Sequence, residues 1–292
     1  MEDQVTDQIN LKADADLADP LERVAYQSGM MLGLEAIRDE QSYHRRRLNR
    51  HQYWLHGYGT VAGMAVSLSH IPPQEDVEET VRIIVNPGMG IDGLGRDVLV
   101  NETYCINLNA WIKSRTPADL LEGYDGDNNT LWLQVTVRQR DCLTGKQPTL
   151  ARAVNAGTDA VKESRSRDSI LLELSPLSPD RLEAEQRPWL AHEAIDTETP
   201  LQELLSQAEH EYIEKAPPEQ QTRLRRYARL MLAGRTRSFN LEADRESAAR
   251  ILLAHISIEQ VTDPSDINVS PDHIKVNGMV RPFAKPASDH SI

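Results

Sequence analysis

Apolar positions along this chain change period at residue 57. Between Leu34 and His56 there is no Gly or Pro, and most residues are good helix formers. Gly57 follows, where a glycine commonly ends a helix. At ~1.5 Å per residue the predicted helix is about 34 Å long. After Gly57 the pattern turns to alternation: Met64, Val66 and Leu68; Val81, Ile83 and Val85; Val98 and Val100; Leu131, Leu133, Val135 and Val137. Short alternating runs bounded by Gly, Pro, Asn or Asp predict half-buried antiparallel strands. Val154 to Asp168 is polar and reads as a loop, with a further strand at Ile170 to Leu174.

Residues 176–200 carry Pro176, Pro179, Pro188 and Pro200 and read as a connector. Thr199 before Pro200 is a helix-start signal. Leu201, Leu204, Leu205, Ala208 and Tyr212 then recur at helical spacing. Pro217 and Pro218 break that helix and open a second, with Leu224, Tyr227, Ala228 and Met231 on one face and Gly234 as its stop. The pair reads as an αα-hairpin. A strand over ARILLAHISI and a tail with a hairpin turn at Asn277-Gly278 complete the pattern. The expected architecture is α+β: a long N-terminal helix packed with a mainly antiparallel β domain, plus a late inserted αα-hairpin. Its parts are a flexible arm at 1–20, an N-terminal segment and long helix at 21–57 and a β domain at 58–175. The connector and hairpin take 176–238, and a C-terminal β return and tail take 239–292.

The helix carries a seam at alternating four- and three-residue steps: Ile37, Gln41, His44, Leu48, His51 and Leu55. Half of these are polar. A neighbouring stripe of Tyr43, Arg47, Arg50 and Trp54 mixes rings with guanidinium groups, residue types enriched at interaction hot spots. Two readings stay open: an amphipathic helix lying on its own β domain, or a helix shared with a partner subunit. In the late hairpin, Arg225, Arg226 and Arg229 belong to an arginine cluster, either a solvated face or a docking surface for an acidic neighbour.

Charge shapes the choice of partners. The 292 residues carry a net charge of −13, which repels phosphate backbones and makes nucleic acid an unexpected ligand. No apolar run approaches the roughly 20 residues of a membrane span. The acidic, polar N-terminus is unlike a signal peptide, so a cytoplasmic chain is expected. Cys105 and Cys142 are too few for a disulfide framework and read as reduced.

Chemistry-bearing motifs fail on spacing. Gly88-Met-Gly-Ile-Asp-Gly93 has the letters of a dinucleotide fingerprint, but a strand pattern follows where a helix is required. Asp92-Gly93 reads instead as a hairpin turn. Asp125 to Thr130 lacks the bidentate Glu of a calcium loop and reads as a polar loop. His44, His51 and His56 are seven and five apart, not the three or four of a helix-borne metal pair; His56 suits the carbonyls of the last turn. No catalytic, cofactor-binding or metal residue is therefore expected.

One resemblance spans most of the chain. The residues are Gly29-Met-Met-Leu32; Glu40-Gln41 and Tyr43 leading to Arg46, Arg47, Asn49 and Arg50; and Leu55-His-Gly-Tyr-Gly59. They continue with Gly63-Met-Ala-Val66; Val85-Asn-Pro-Gly88, Ile91-Asp92 and Gly95-Arg96; Ser166-Arg-Asp168; and Ile251 to Ile256 before Arg281-Pro282. Together they resemble a group of baseplate- or tail-associated proteins of phage-tail-like contractile injection systems. The resemblance implies a non-catalytic structural component. Its partners would be other subunits of a contractile tail or baseplate, with a homo-oligomer as a further option. It also implies a cytoplasmic chain until assembly, then part of a released or membrane-associated particle. The rival readings are a carbohydrate- or surface-binding module of such a particle, and an enzyme using Asp92, Arg96 and Asp97.

Overall fold

A computed structural model describes residues 21–73, 79–148, 161–182, 205–221, 224, 225, 228, 247–267 and 269–284. The chain is α+β, with helix α1 at Leu34–His56 followed by three antiparallel sheets. The helix has the limits its sequence sets. Gly57, at φ 77°, closes it and donates its N–H to the Tyr53 carbonyl at 3.0 Å. Glu35 in the first turn and His56 in the last complement the helix dipole.

Strands β1 (Gly59–Gly63), β4 (Gly88–Ile91) and β5 (Asp97–Val100) form one sheet in the order β1-β4-β5. β2 (Val66–Ile71), β3 (Thr80–Val85) and β6 (Tyr104–Asn107) form a second, in the order β2-β3-β6. Two short helices follow, α2 (Leu108–Lys113) and α3 (Pro117–Leu121). Neither shows in the hydrophobic pattern, because each is held by its cap: Asn107 accepts from Ala110 N–H, and Thr116 makes a capping box with Asp119.

The third sheet is built on β8 (Thr130–Pro148), with β7 (Tyr124–Asp125), β9 (Val161–Pro176), β10 (Arg250–Ile258) and β11 (Ile274–Asn277). Residues 161–168, expected in a loop, are strand, paired to β8 from Pro148↔Val161 through to Leu133↔Pro176. β10 covers β8 only as far as Arg250↔Arg138. Beyond that register the β8–β9 hairpin runs on as a two-stranded ribbon of about 30 Å. Its tip is exposed from Leu143 to Pro148, and β9 is exposed from Arg165 to Asp168. A ribbon wet on both faces needs no apolar alternation, so a polar strand passes for a loop.

The core lies between the sheets. Val81, Ile83 and Val85 of β3 meet Val98 and Val100 of β5, Leu108 and Ile112 of α2, and the inner residues of β8 and β10. β10 is buried along almost its whole length, which explains its unbroken apolar run.

Two further expectations change. After β11 the chain does not turn back at Asn277-Gly278 into a hairpin. It crosses to β1, where Thr60 pairs with Phe283 in an isolated parallel bridge. The helix α4 (Gln207–Lys215) starts at a Ser206–Glu209 capping box, while the expected start at Thr199-Pro200 lies outside the described residues. Its inward residue is Ile213, and Tyr212 faces out. Pro217-Pro218 does separate it from a second helical segment starting at Pro218. Leu201, Leu204, Tyr227 and Met231 lie outside the described residues.

Candidate protein–protein interface

Helix α1 meets the body of the protein through its C-terminal half. Asn49 and Tyr53 are buried among its described side chains, and Gly95 of the β4–β5 turn lies beneath the first of them. A Cβ on Gly95 would stand 2.1 Å from the Asn49 carbonyl oxygen. The Gln52 side-chain amide donates to the Asp97 carboxylate at 2.8 Å. The docking is close backbone packing plus polar contact, so the inward face of α1 is not its apolar face.

At about 100° per residue, the seam points away from Asn49 and Tyr53. Leu34 is 62% exposed, Ile37 50%, Leu48 52% and Leu55 62%; Gln41, His44 and His51 are exposed with them. Of the two readings of α1, a seam lying on the protein's own β domain is therefore wrong. The seam faces solvent.

The neighbouring stripe lies partly against α1 itself. Arg47 donates to the Tyr43 hydroxyl at 3.2 Å, and the Tyr43 and His44 rings meet edge to face at 5.3 Å. His44 shares a hydrogen bond with Glu40 at 3.0 Å. Tyr43 and Arg50 are half-buried, and Trp54 lies within the helix. Arg225 is exposed on the second helical segment of the late hairpin; Arg226 and Arg229 lie outside the described residues.

Sequence reasoning missed the sheet side of this surface. Leu48 and Leu55 stand at i−4 and i+3 from Gln52, and so share its helix face. Leu99 stands two residues on from Asp97 on the outer face of β5 and is 60% exposed, opposite the exposed Met89 of β4. The Gln52–Asp97 hydrogen bond is thus flanked by apolar groups on both elements. Alternation over Asp97–Val100 was the available signal, since it puts Asp97 and Leu99 on one face.

Asp92 and Arg96, considered above as catalytic, build the turn that carries Gly95. Asp92 is fully buried. One of its oxygens accepts from the Leu94 and Arg96 N–H groups at 2.9 Å each, and the other from Arg96 Nε at 2.7 Å. Arg96 reaches on to Gln139 at 3.1 Å, and Gln139 to Asp141 at 2.8 Å. Burial pushes the Asp92 carboxyl up to about 6, against the pull of Arg96 and the two backbone donors. Both oxygens are spent on the fold, and Asp97 is engaged by Gln52.

The remaining motifs also resolve into turns. Gly88–Ile91 enters a β hairpin, not a helix. Asp125 accepts from the Asp127 and Asn128 N–H groups and from the Asn128 amide, which hold its carboxyl below the usual range. Among the described residues there is no cluster of three or more His, Cys, Asp or Glu able to hold a metal, and no helix long and apolar enough to cross a membrane. Cys105 and Cys142 are not bonded to each other. No protein-family model matches the chain, and no curated protein matches it.

Proposed function

We propose that this chain is a non-catalytic structural component of a phage-tail-like contractile particle, docking onto baseplate or tail subunits through α1. The observation that supports this reading is the outward seam. A half-apolar seam at heptad spacing on an otherwise polar helix, turned away from its own domain, is what a helix shared with another subunit presents. The arginine and tyrosine side chains beside it suit the rim of such a contact.

The resembling motifs support it as well. Gly59, Gly95, Asp92, Arg96 and Arg281 are consumed in holding backbone segments together, which leaves recognition to the surface they shape. Until assembly the chain would stay in the cytoplasm, joining the particle there.

The test is affinity capture of tagged protein from its native cells, followed by sedimentation and mass spectrometry. The protein should sediment with tail and baseplate subunits. Leu48→Asp should stay folded, because Leu48 is half exposed, but leave the particle fraction. Wild-type protein that elutes alone would overturn the proposal.

A further inference from the structure

The geometry points to a second copy of this chain as the occupant of the α1 seam, paired parallel and in register. This rests on reading α1 as the docking element and names its first partner.

The seam runs Leu34, Ile37, Gln41, His44, Leu48, His51 and Leu55, which places residues 34, 41, 48 and 55 at one core position of the heptad and 37, 44 and 51 at the other. Apolar residues hold both ends and the Leu48 layer. Polar residues occupy three layers between them. A parallel, in-register pair sets Gln41 against Gln41, His44 against His44 and His51 against His51, so each polar layer meets a group able to hydrogen-bond with it. A shift by one heptad, or an antiparallel pair, places some of these against leucine or isoleucine. Buried polar layers of this kind fix register at a cost in stability.

Charge agrees with the same alignment. In a parallel pair the residue just before one core position reaches the residue five further on in the other helix. Here Glu40 meets Arg45 of the second copy, an attractive pair. Glu40 gives one carboxylate oxygen to His44; its other oxygen is buried and has no hydrogen-bond partner among the described residues, so Glu40 must turn outward to make this pair.

The body of the protein leaves room. Asn49 and Tyr53 anchor the far side of α1, and Gln52 holds Asp97 of β5 at the edge of the seam, so two copies can join over the exposed Leu34, Ile37, Leu48 and Leu55 with their β sheets to the outside of a two-fold axis. A helix of 23 residues supplies about three heptads, enough for a weak pair and not for an obligate one.

Sedimentation equilibrium of the purified chain tests this without any particle. The expected result is a reversible shift from one to two chains as concentration rises. Leu48→Asp should stay at one chain while keeping the wild-type circular dichroism melt. In a Cys105→Ser, Cys142→Ser background, Leu48→Cys should form a disulfide-linked dimer on oxidation, since facing core positions lie within disulfide reach. Asp39→Cys, on the outer side of the pair, should not. A chain that stays single at all concentrations overturns the inference, as does a mass above two chains. So does a dimer that survives Leu48→Asp, or one that Leu48→Cys fails to link. A single chain that still sediments with tail subunits would leave the proposed function standing and remove only the pairing.

Discussion

The carbonyl oxygen of Asn49 sits where a side chain on Gly95 would have to begin, 2.1 Å from that missing Cβ. Gly95 also has φ 77°, a conformation that L side chains rarely adopt. Gly95→Ala should therefore combine backbone strain with a helix pushed off its seat. We expect a loss of about 2–4 kcal/mol in denaturant unfolding, with α1 amides losing hydrogen-exchange protection first. Gly126→Ala is the control, since its Cβ would meet only the Tyr124 ring at 3.6 Å. Equal stability of the two variants would mean that α1 is not seated on the β4–β5 turn.

That contact also explains which part of the site was legible from sequence. The limits of α1 followed from an unbroken run of helix formers and Gly57, since both act locally. The orientation of α1 did not follow. Amphipathicity normally marks the inward face, but here the helix is held by the Asn49 backbone, Tyr53 and the Gln52–Asp97 hydrogen bond, none of which enters a hydrophobic pattern. The β4–β5 turn was legible because Asp92-Gly93 is turn chemistry in itself. The charge network behind it was not: Gln139 lies 43 residues from Arg96, and only the folded sheets bring them together.

Asp92 gives a pH dependence whose sign can be worked out. Its folded value, about 6, is above the unfolded 3.8, so the folded state holds the proton more tightly. The contribution of this group to stability is therefore fully present below pH 4 and lost as pH rises through 6, by about 3 kcal/mol. Asp92→Asn removes the titration and mimics the neutral acid, so the stability of wild type relative to this variant reads the pH dependence of this site alone. The stability of wild type relative to Asp92→Asn should rise as pH falls from 7 to 4. A relative stability that falls would show the ion pair with Arg96 outweighing burial.

Arg281 closes the far end of the fold. Its Nη1 donates to the Gly63 and Met64 carbonyls at 3.0 and 3.1 Å, and its guanidinium lies 4.9 Å from the Phe283 ring centroid. Next to it, Thr60 N–H donates to the Pro282 carbonyl at 2.8 Å. Arg281→Ala removes charge-assisted donors from two carbonyls and should cost about 2–3 kcal/mol. Protection should fall at Thr60 and Ala284 as the C-terminal segment detaches from β1. Unchanged exchange at both amides would make the clamp incidental.

The β8–β9 ribbon allows a test of what holds the fold and what merely projects from it. β8 is in the core as far as Val137, and the ion pairs of Glu173 with Arg138 at 3.5 Å and Arg250 at 2.8 Å mark the last register at which three strands run side by side. Past Cys142↔Arg167 the two strands have no third partner among the described residues, and β8 is exposed throughout. An isolated two-stranded ribbon contributes little stability of its own. Its charged residues, among them Lys146, Glu163, Arg165 and Arg167, suit an edge kept from pairing with stray strands. Replacing residues 143–166 with Asn-Gly joins a facing pair through a turn that matches strand twist. The truncated protein should melt cooperatively within about 1 kcal/mol of wild type, because none of the described residues removed is buried. If it unfolds, the ribbon's base is held from its tip and the fold does not end at Cys142. If it folds but no longer sediments with tail subunits, the ribbon is a second contact in the particle, independent of α1.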